Sequence, residues 1–370
     1  MRQPYFVLSP CGISLLTNVS TTQHERMAVN HNANAKDRKK VNDENLQVLD
    51  VLINQAIDRM TGADPLSAAR LSAEVNGIVK LYNCQFNKAH QDHHLLLCTD
   101  TWLGETSAQI VSEWLKQQGI KIVEVKRQTD LQTEDIISFQ YALSEIVSWC
   151  AETLPTYRNN AYHIIFNLTG GFKSIQGFLQ TLAMFYADES VYVFETASDL
   201  LRIPRLPVKI IGEETVHQHI KTFRRLSMGL SVLQLDDIPE TLLMEMGGEK
   251  TLSTWGELVW AQTKKQIYEE QLWPSPSPRL SFSHNFERSV RELSKDRLVL
   301  INERIDQLAK CLETNGGYNP SSLDLKPLKG NPCPPSTHEI DAWADQDAKR
   351  MYGHYDSGNF ILDKLGNALH

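Results

Sequence analysis

The sequence predicts an α/β fold with a parallel sheet over residues 1–205, a small helical module over 206–275 and an α+β unit over 276–370. Three observations carry that expectation. Short apolar runs alternate with helical periodicity through roughly the first 200 residues, the pattern of a parallel sheet with helical crossovers. In the middle of that alternation, Asn167-Leu168-Thr169-Gly170-Gly171-Phe172-Lys173 reads as strand end, glycine turn and helix start. Finally, Trp273-Pro274-Ser275-Pro276-Ser277-Pro278 reads as an extended linker, and helical runs followed by strands lie beyond it.

Composition narrows the class. The 370 residues suffice for two or three domains, and 41% hydrophobic with 22% charged residues is an ordinary globular balance. A formal charge of −8 excludes a general nucleic-acid coat and leaves a local basic site open. Six cysteines without a CxxC pair read as reduced packing thiols of a cytoplasmic protein, with no disulfide frame and no metal site. The N-terminus runs straight into a strand, so no signal peptide is expected. No apolar stretch reaches the roughly 20 residues that span a bilayer, so no membrane partner is expected.

Taken in order, Tyr5 to Leu8 is a buried strand opening into a hydroxyl-rich loop, Ser9 to Asn18, with Gly12 at its centre. Residues 20–45 are polar and carry Lys36-Asp37-Arg38-Lys39-Lys40, which reads as a solvated loop or helix start with a charged surface. Leu46 to Met60 and Pro65 to Tyr82 have helical spacing. A strand from His94 to Cys98 ends at Thr99-Asp100-Thr101, before a helix from about Glu105 to Gln118 that Gly119 stops. Ile120 to Val125 is a strand, and a helix over Glu134 to Glu152 takes Thr133 as N-cap. The strand 162–166, the glycine turn, a helix to Ala187 and a strand Val191 to Phe194 complete the sheet.

Residues 202–225 are locally basic: Arg202, Arg205, Lys209, Lys221, Arg224 and Arg225 face only Glu213 and Glu214. The stretch reads either as a solvated face or as a surface for an acidic partner. Helical runs at about 215–228, 240–246 and 254–272 suit a helical or winged-helix module. After the prolines come a strand, Leu280 to Phe282, and helices Asn285 to Leu293 and Asp296 to Leu312. Strand runs Leu323 to Leu328, Glu339 to Trp343, Lys349 to Tyr355 and Asn359 to Leu365 follow, the last two joined by the hairpin turn Asp356-Ser357-Gly358.

The glycine turn has chemical content. Adjacent glycines let backbone N–H groups approach an anion, and the helix start adds a positive dipole end. Lys173 sits against that dipole, an unfavourable place unless something negative lies between them. In a parallel sheet the ligand lies beyond the strands' carboxyl ends, so this turn should converge with the Ser9–Asn18 loop and Thr99–Thr101.

The Ser9–Asn18 loop after the first strand and the Asn167–Lys173 turn after a later one, in that order, resemble the CARF family, Rossmann-like CRISPR-associated sensors of cyclic oligoadenylates. The resemblance spans about 200 residues and implies a homodimer with the ring on its two-fold axis. It implies a pocket lined by Ser9, Gly12, Ser14, Thr17 and Thr99, with Thr169, Gly170, Gly171 and Lys173 holding phosphates. The last 90 residues or so resemble the RelE-like toxins, ribosome-dependent mRNA endonucleases. The carrying features are the helix pair, Leu325-Lys326-Pro327-Leu328-Lys329-Gly330, and Lys349-Arg350-Met351-Tyr352 before the final hairpin. Together they look like the CARF–RelE fusions, which carry a winged helix between the two ends. That group implies a type III CRISPR ancillary effector, a homodimer with cyclic tetra-adenylate as its activator and no other cofactor. Its partners are the ribosome and mRNA.

Metal-free RNA cleavage needs a deprotonated 2′-hydroxyl, a stabilised phosphorane and a protonated 5′-oxygen. The toxin pattern places Lys329 and Arg350, with Lys326, at the scissile phosphate. His354 or His338 carries protons, and His370 lies where the toxins keep a C-terminal catalytic side chain. One departure stands out: from Leu280 onward there are 11 Lys and Arg against 13 Asp and Glu, so this end lacks the positive charge typical of such toxins. Recruitment is therefore expected to fall to another surface, with Arg205, Lys221, Arg224 and Arg225 meeting an acidic ribosomal protein or RNA. Two alternatives stay open: a nucleotide-sensing DNA-binding regulator with a degenerate toxin fold, and a ring nuclease that degrades the messenger.

Overall fold

The computed structural model describes residues 2–368 apart from 195–198, 208–211, 233, 234, 236, 331 and 346. Two units emerge, Met1–Lys209 and Ile210–His370. In the first, β1 (Tyr5–Cys11) lies between β2 (His93–Cys98) and β4 (His163–Asn167), parallel to both, and is buried almost throughout. Burial on both faces is why its sequence, like that of β2, is nearly continuous in apolar residues. β3 (Ile122–Arg127) and β5 (Glu189–Val193) extend the parallel sheet in the order β3-β2-β1-β4-β5, and β6 (Leu200–Pro204) adds an antiparallel edge. This is a mixed α/β arrangement compatible with a Rossmann-like domain. Strand order reverses between β1 and β4, and a crevice at their carboxyl ends is the consequence.

Helices cover both faces. On one side lie α1 (Ser14–Val19), α2 (Gln23–His31), α3 (Asp43–Met60), α4 (Pro65–Leu71), α5 (Ala73–Leu81) and α6 (Trp102–Gln117), packed on Val7, Leu96 and Ile165. The other side carries α7 (Ile136–Asn159) and α8 (Lys173–Tyr186), with Phe6 against Trp149 and Tyr157. Period-2 alternation along β1 sends Phe6 and Val7 to opposite faces.

Several local expectations are corrected. β1 continues to Cys11, opposite Cys98, so Ser9 lies inside the strand and is fully buried. The helical run 65–82 is two helices, because Ser72 turns to an extended conformation and its hydroxyl caps α5 at Val75 N–H. Within 20–45, Thr22 and Glu25 form a capping box that starts α2, and Lys36 pairs with Asp100 and Asp130 instead of standing in solvent. Asp135, not Thr133, caps α7.

Within β2, His94 is fully buried, with Tyr82 Oη 2.8 Å from Nε2 and Asp92 on the far side of that hydroxyl. Burial holds its pKa down at about 3, and His93 and Arg2 push the same way. An unfolded histidine takes up a proton below about pH 6.5, whereas this one refuses it, so stability is full above that value and falls as pH drops toward 3. The expected loss approaches about 1.4 kcal/mol per pH unit from this group. Urea unfolding of the wild type and His94→Gln at neutral and acid pH checks it. The variant should show the shallower dependence, and parallel curves would reject the assignment.

In the second unit, α9 (Glu213–Gln218), α10 (Ile220–Ser227) and α11 (Thr254–Tyr268) share a core of Val216, Phe223, Trp260 and Ile267 with the hairpin β7 (Leu243–Met246) and β8 (Glu249–Leu252). The helix expected at 240–246 is therefore mostly strand, because Gly247 and Gly248, both at positive φ, make a tight turn there. Residues 273–278 are not a free linker: Trp273 and Ser277 are buried, and Arg224 and Arg225 grip the carbonyls of Pro274 and Pro276 at 2.6 and 2.9 Å. β9 (Leu280–Phe282), α12 (His284–Val290) and α13 (Lys295–Glu313) follow. A sheet then forms in the order β10-β11-β12-β13-β9, from β10 (Lys326–Pro327), β11 (His338–Trp343), β12 (Lys349–Asp356) and β13 (Asn359–Asn367). Leu308, Leu312, Ile340, Met351 and Leu362 pack between the helices and one face of that sheet.

Candidate functional site

At the carboxyl ends of β1 and β4, the two expected loops do converge, on a side chain the sequence reading missed. Glu74, in the first turn of α5 and only 2% exposed, points its carboxylate into the crevice. Gly12 N–H donates to its Oε1 at 2.9 Å, and Gly171 N–H reaches the same oxygen at 3.4 Å. The hydroxyls of Ser14 and Ser72 donate to Oε2 at 2.9 and 2.7 Å. Gly170 makes room: a Cβ there would lie 2.4 Å from Glu74 Cγ. Gly171, at φ +87°, takes a backbone turn that other residues resist. Burial, with the Glu74 charge adding to it, pushes the Cys11 thiol well up. The donor arrangement expected for an external anion is present and is filled from within.

The remaining ligand-binding candidates divide. Buried Ser9 accepts from Asn167 Nδ2 at 3.1 Å and braces the crevice floor without lining it. Thr17 returns its hydroxyl to Ser14 O within α1. Thr99 meets Thr101 Oγ at 2.8 Å in the cap of α6, against Gly104, where a Cβ would lie 2.1 Å from the Thr99 hydroxyl. Thr169 accepts from Val193 N–H at 3.2 Å, and Gly170 O holds Gln176 Nε2 at 2.9 Å. Lys173 is the exposed first residue of α8, with no ion pair among the described residues. Beside Thr99, Asp100 binds Arg127 at 2.9 Å and Lys36 at 3.1 Å. Burial would raise its pKa, but the Asp130 N–H and these two cations outweigh it and hold the acid below its ordinary range.

In the second unit, register decides which candidates share a face. Lys326 pairs opposite Glu339, Glu339 opposite Tyr352, and Asp341 opposite Arg350. Alternation along β12 puts Arg350, Tyr352 and His354 on the face away from Met351 and the helices. Each of the three candidates on that face, Lys326, Arg350 and His354, has an acid beside it. Arg350 Nε is 3.0 Å from Asp341 Oδ1, without a hydrogen bond aimed at it. Lys326 pairs with Asp324 and lies 3.8 Å from Glu339. His354 Nδ1 is 2.9 Å from Asp363 Oδ2, which also accepts from the buried Ser336 hydroxyl at 2.7 Å. Asp363 is the extra residue where β13 bulges against Tyr352 and Gly353, a long-range feature with no local signal.

Other toxin-end candidates are placed apart. His338 lies on the opposite face, edge-on to Tyr355 and Phe360, with its pKa lowered by burial. It does not join His354. Lys329 is exposed in the bend after β10. His370 lies outside the described residues.

Of the proposed docking residues, Arg205 and Lys221 are exposed, one in each unit. Arg224 is 1% exposed and pairs with Asp306 at 2.7 Å, while Arg225 binds Glu313 at 2.7 Å. These two are internal ties of the second unit, which corrects the expectation that they form an exposed surface for an acidic partner. The hydrophobic face of α10 buries Phe223 and Leu226, and Arg224 goes in with them.

No helix among the described residues is long and apolar enough to cross a membrane, and no group of three or more metal-ligating side chains forms among them. No curated protein matches the chain. Residues 69–206, a little over a third of the chain, match a family model described as CRISPR-associated protein (Cas_APE2256). The matched segment takes in Glu74 and the 167–173 turn and leaves out the β1 loop and the whole second unit. The match supports a Cas-associated protein with a role in CRISPR defence.

Proposed function

We propose that the chain is a cyclic oligoadenylate-activated, ribosome-dependent mRNA endoribonuclease of type III CRISPR defence, with cyclic tetra-adenylate as activator. The first unit acts as a CARF-like sensor in a homodimer. The second joins a winged-helix-like module to a RelE-like nuclease. The observation that carries the reading is the sheet face holding Lys326, Arg350 and His354 together by strand register. Arg350 stabilises the charge developing on the phosphorane, and Lys326 flanks it. His354 is the proton carrier: Asp363 on Nδ1 leaves Nε2 to take a proton from the 2′-hydroxyl or give one to the 5′-oxygen. Asp363 and Ser336 are positioning residues. Ligand binding raises activity through its greater affinity for the active state.

An in vitro translation reaction with each cyclic oligoadenylate, read by mapping mRNA ends, tests the whole reading. New ends should appear only when ligand and ribosomes are both present. Ends that never depend on ligand or ribosomes would sink it. At the sensor, Lys173→Ala should raise the half-activating ligand concentration about 10–100-fold, the worth of one charge-assisted contact. Its melting temperature should hold, since the side chain is exposed. At the nuclease, Asp363→Asn should lower the cleavage rate with little change in KM, by no more than the roughly 10²–10⁴-fold of a proton-transfer group. A changed pH–rate profile separates that role from simple packing.

A further inference from the structure

We infer that the donors around Glu74 form an oxyanion site whose present occupant is the protein's own side chain, and that a phosphate of the ligand takes the carboxylate's place. The inference rests on the proposed function only for the identity of that ligand. Four donors from three segments converge on one carboxylate: Gly12 N–H and Gly171 N–H on one oxygen, the Ser14 and Ser72 hydroxyls on the other. Two donors per oxygen, supplied by glycine backbone and small hydroxyls, suit a phosphate oxyanion as well as they suit a carboxylate. The opening at Gly170, where a Cβ would strike Glu74, is room on the anion's side of the turn.

Glu74 is 2% exposed in the first turn of α5 and is held by four donors, so its departure has to move the turn that carries it. α5 is itself tied to the end of β4: Asn167 Nδ2 donates to Glu74 O at 3.0 Å, and Gly77 lies where a Cβ would be 2.0 Å from Asn167 Oδ1. Exchange of carboxylate for phosphate therefore disturbs the start of α5. Ligand affinity is reduced by the work of expelling Glu74, which makes the residue a built-in threshold for activation.

Glu74→Gln keeps size and weakens the charge match, and Glu74→Ala empties the site. Titration with inorganic phosphate, followed by ³¹P line broadening, should show at least tenfold tighter binding to the variants than to wild type. Cyclic tetra-adenylate should gain by a similar factor. In the wild-type chain, amide exchange over residues 73–81 should rise when cyclic tetra-adenylate binds, a readout that needs no variant to fold. Equal phosphate affinity in all three proteins, or unchanged exchange in the ligand-bound wild type, overturns the exchange of anions. Tighter phosphate binding in the variants with no cyclic oligoadenylate binding by any of them would uphold the oxyanion site and reject the proposed messenger.

Discussion

Replacing Arg350 by alanine should cut ligand-activated mRNA cleavage by about 10²–10³-fold, the usual loss when one donor to a developing oxyanion is removed. The argument is positional. Arg350 shares a sheet face with Lys326 and His354, and Asp341, its one ion-pair partner among the described residues, lies 3.0 Å from Nε without an aligned hydrogen bond. Nη1 also donates to Lys349 O at a long 3.5 Å, and a guanidinium held by these two weak contacts can turn its planar fork to a phosphate. Truncation also strands Asp341, which is only 18% exposed at its side chain, so some loss could be electrostatic. The pair Arg350→Ala/Asp341→Asn removes that ambiguity. It should stay as inactive as the single variant if Arg350 touches the scissile phosphate, and should recover if the stranded carboxylate was the cause. Cyclic tetra-adenylate binding should be untouched in both. Cleavage by Arg350→Ala within threefold of wild type would take the residue out of the mechanism.

Arg224→Ala should destabilise the second unit by about 3–5 kcal/mol, the cost of breaking a buried ion pair from one side. A unit of this size would melt roughly 10 °C lower for that change. Arg224 is buried and binds Asp306 at 2.7 Å and Pro274 O at 2.6 Å, with the Tyr268 ring 5.5 Å away. Asp306 also accepts from Tyr268. Burial raises its pKa and Arg224 opposes the rise, so the variant leaves an acid that favours protonation. A folded-state pKa above the unfolded one contributes stability at low pH, so the damage should be worst at neutral pH and relieved on acidification. Calorimetry at two pH values checks both parts. A change under about 0.5 kcal/mol would return Arg224 to the status of a surface residue. A double variant, Arg224→Met with Asp306→Leu, should recover much of the loss, because well-packed apolar replacements of buried pairs are often neutral. Charge reversal of Arg224 and Arg225 would therefore report on folding before it reported on any ribosomal contact.

Local signals carried most elements. Short apolar runs and period-3.6 patterns marked β1 to β5, α3, α6, α8 and α13 to within a few residues, since each needs only its own side chains. Elements lost to the sequence reading were those set by distant partners. The antiparallel edge β6 exists through pairing with β5, and β7 through pairing with β8 across the two glycines that follow the run expected as a helix at 240–246. Ser72 breaks a helical run at the point where Ser14 approaches Glu74.

The glycine turn at 167–173 and the hydroxyl loop after β1 were legible, because glycines, hydroxyls and strand ends announce themselves locally. Their meeting at the β1–β4 reversal followed from parallel topology. The sequence by itself thus determined where donors for an anion would gather. Only the tertiary structure decided what they hold, because Glu74 is 62 residues from Gly12 and 97 from Gly171 along the chain. The same distance rule governs the second unit. Its cations were visible one by one, but Arg224 inside a core, Asp363 behind His354 and His338 on the opposite sheet face follow from burial and strand register, which no local spacing encodes.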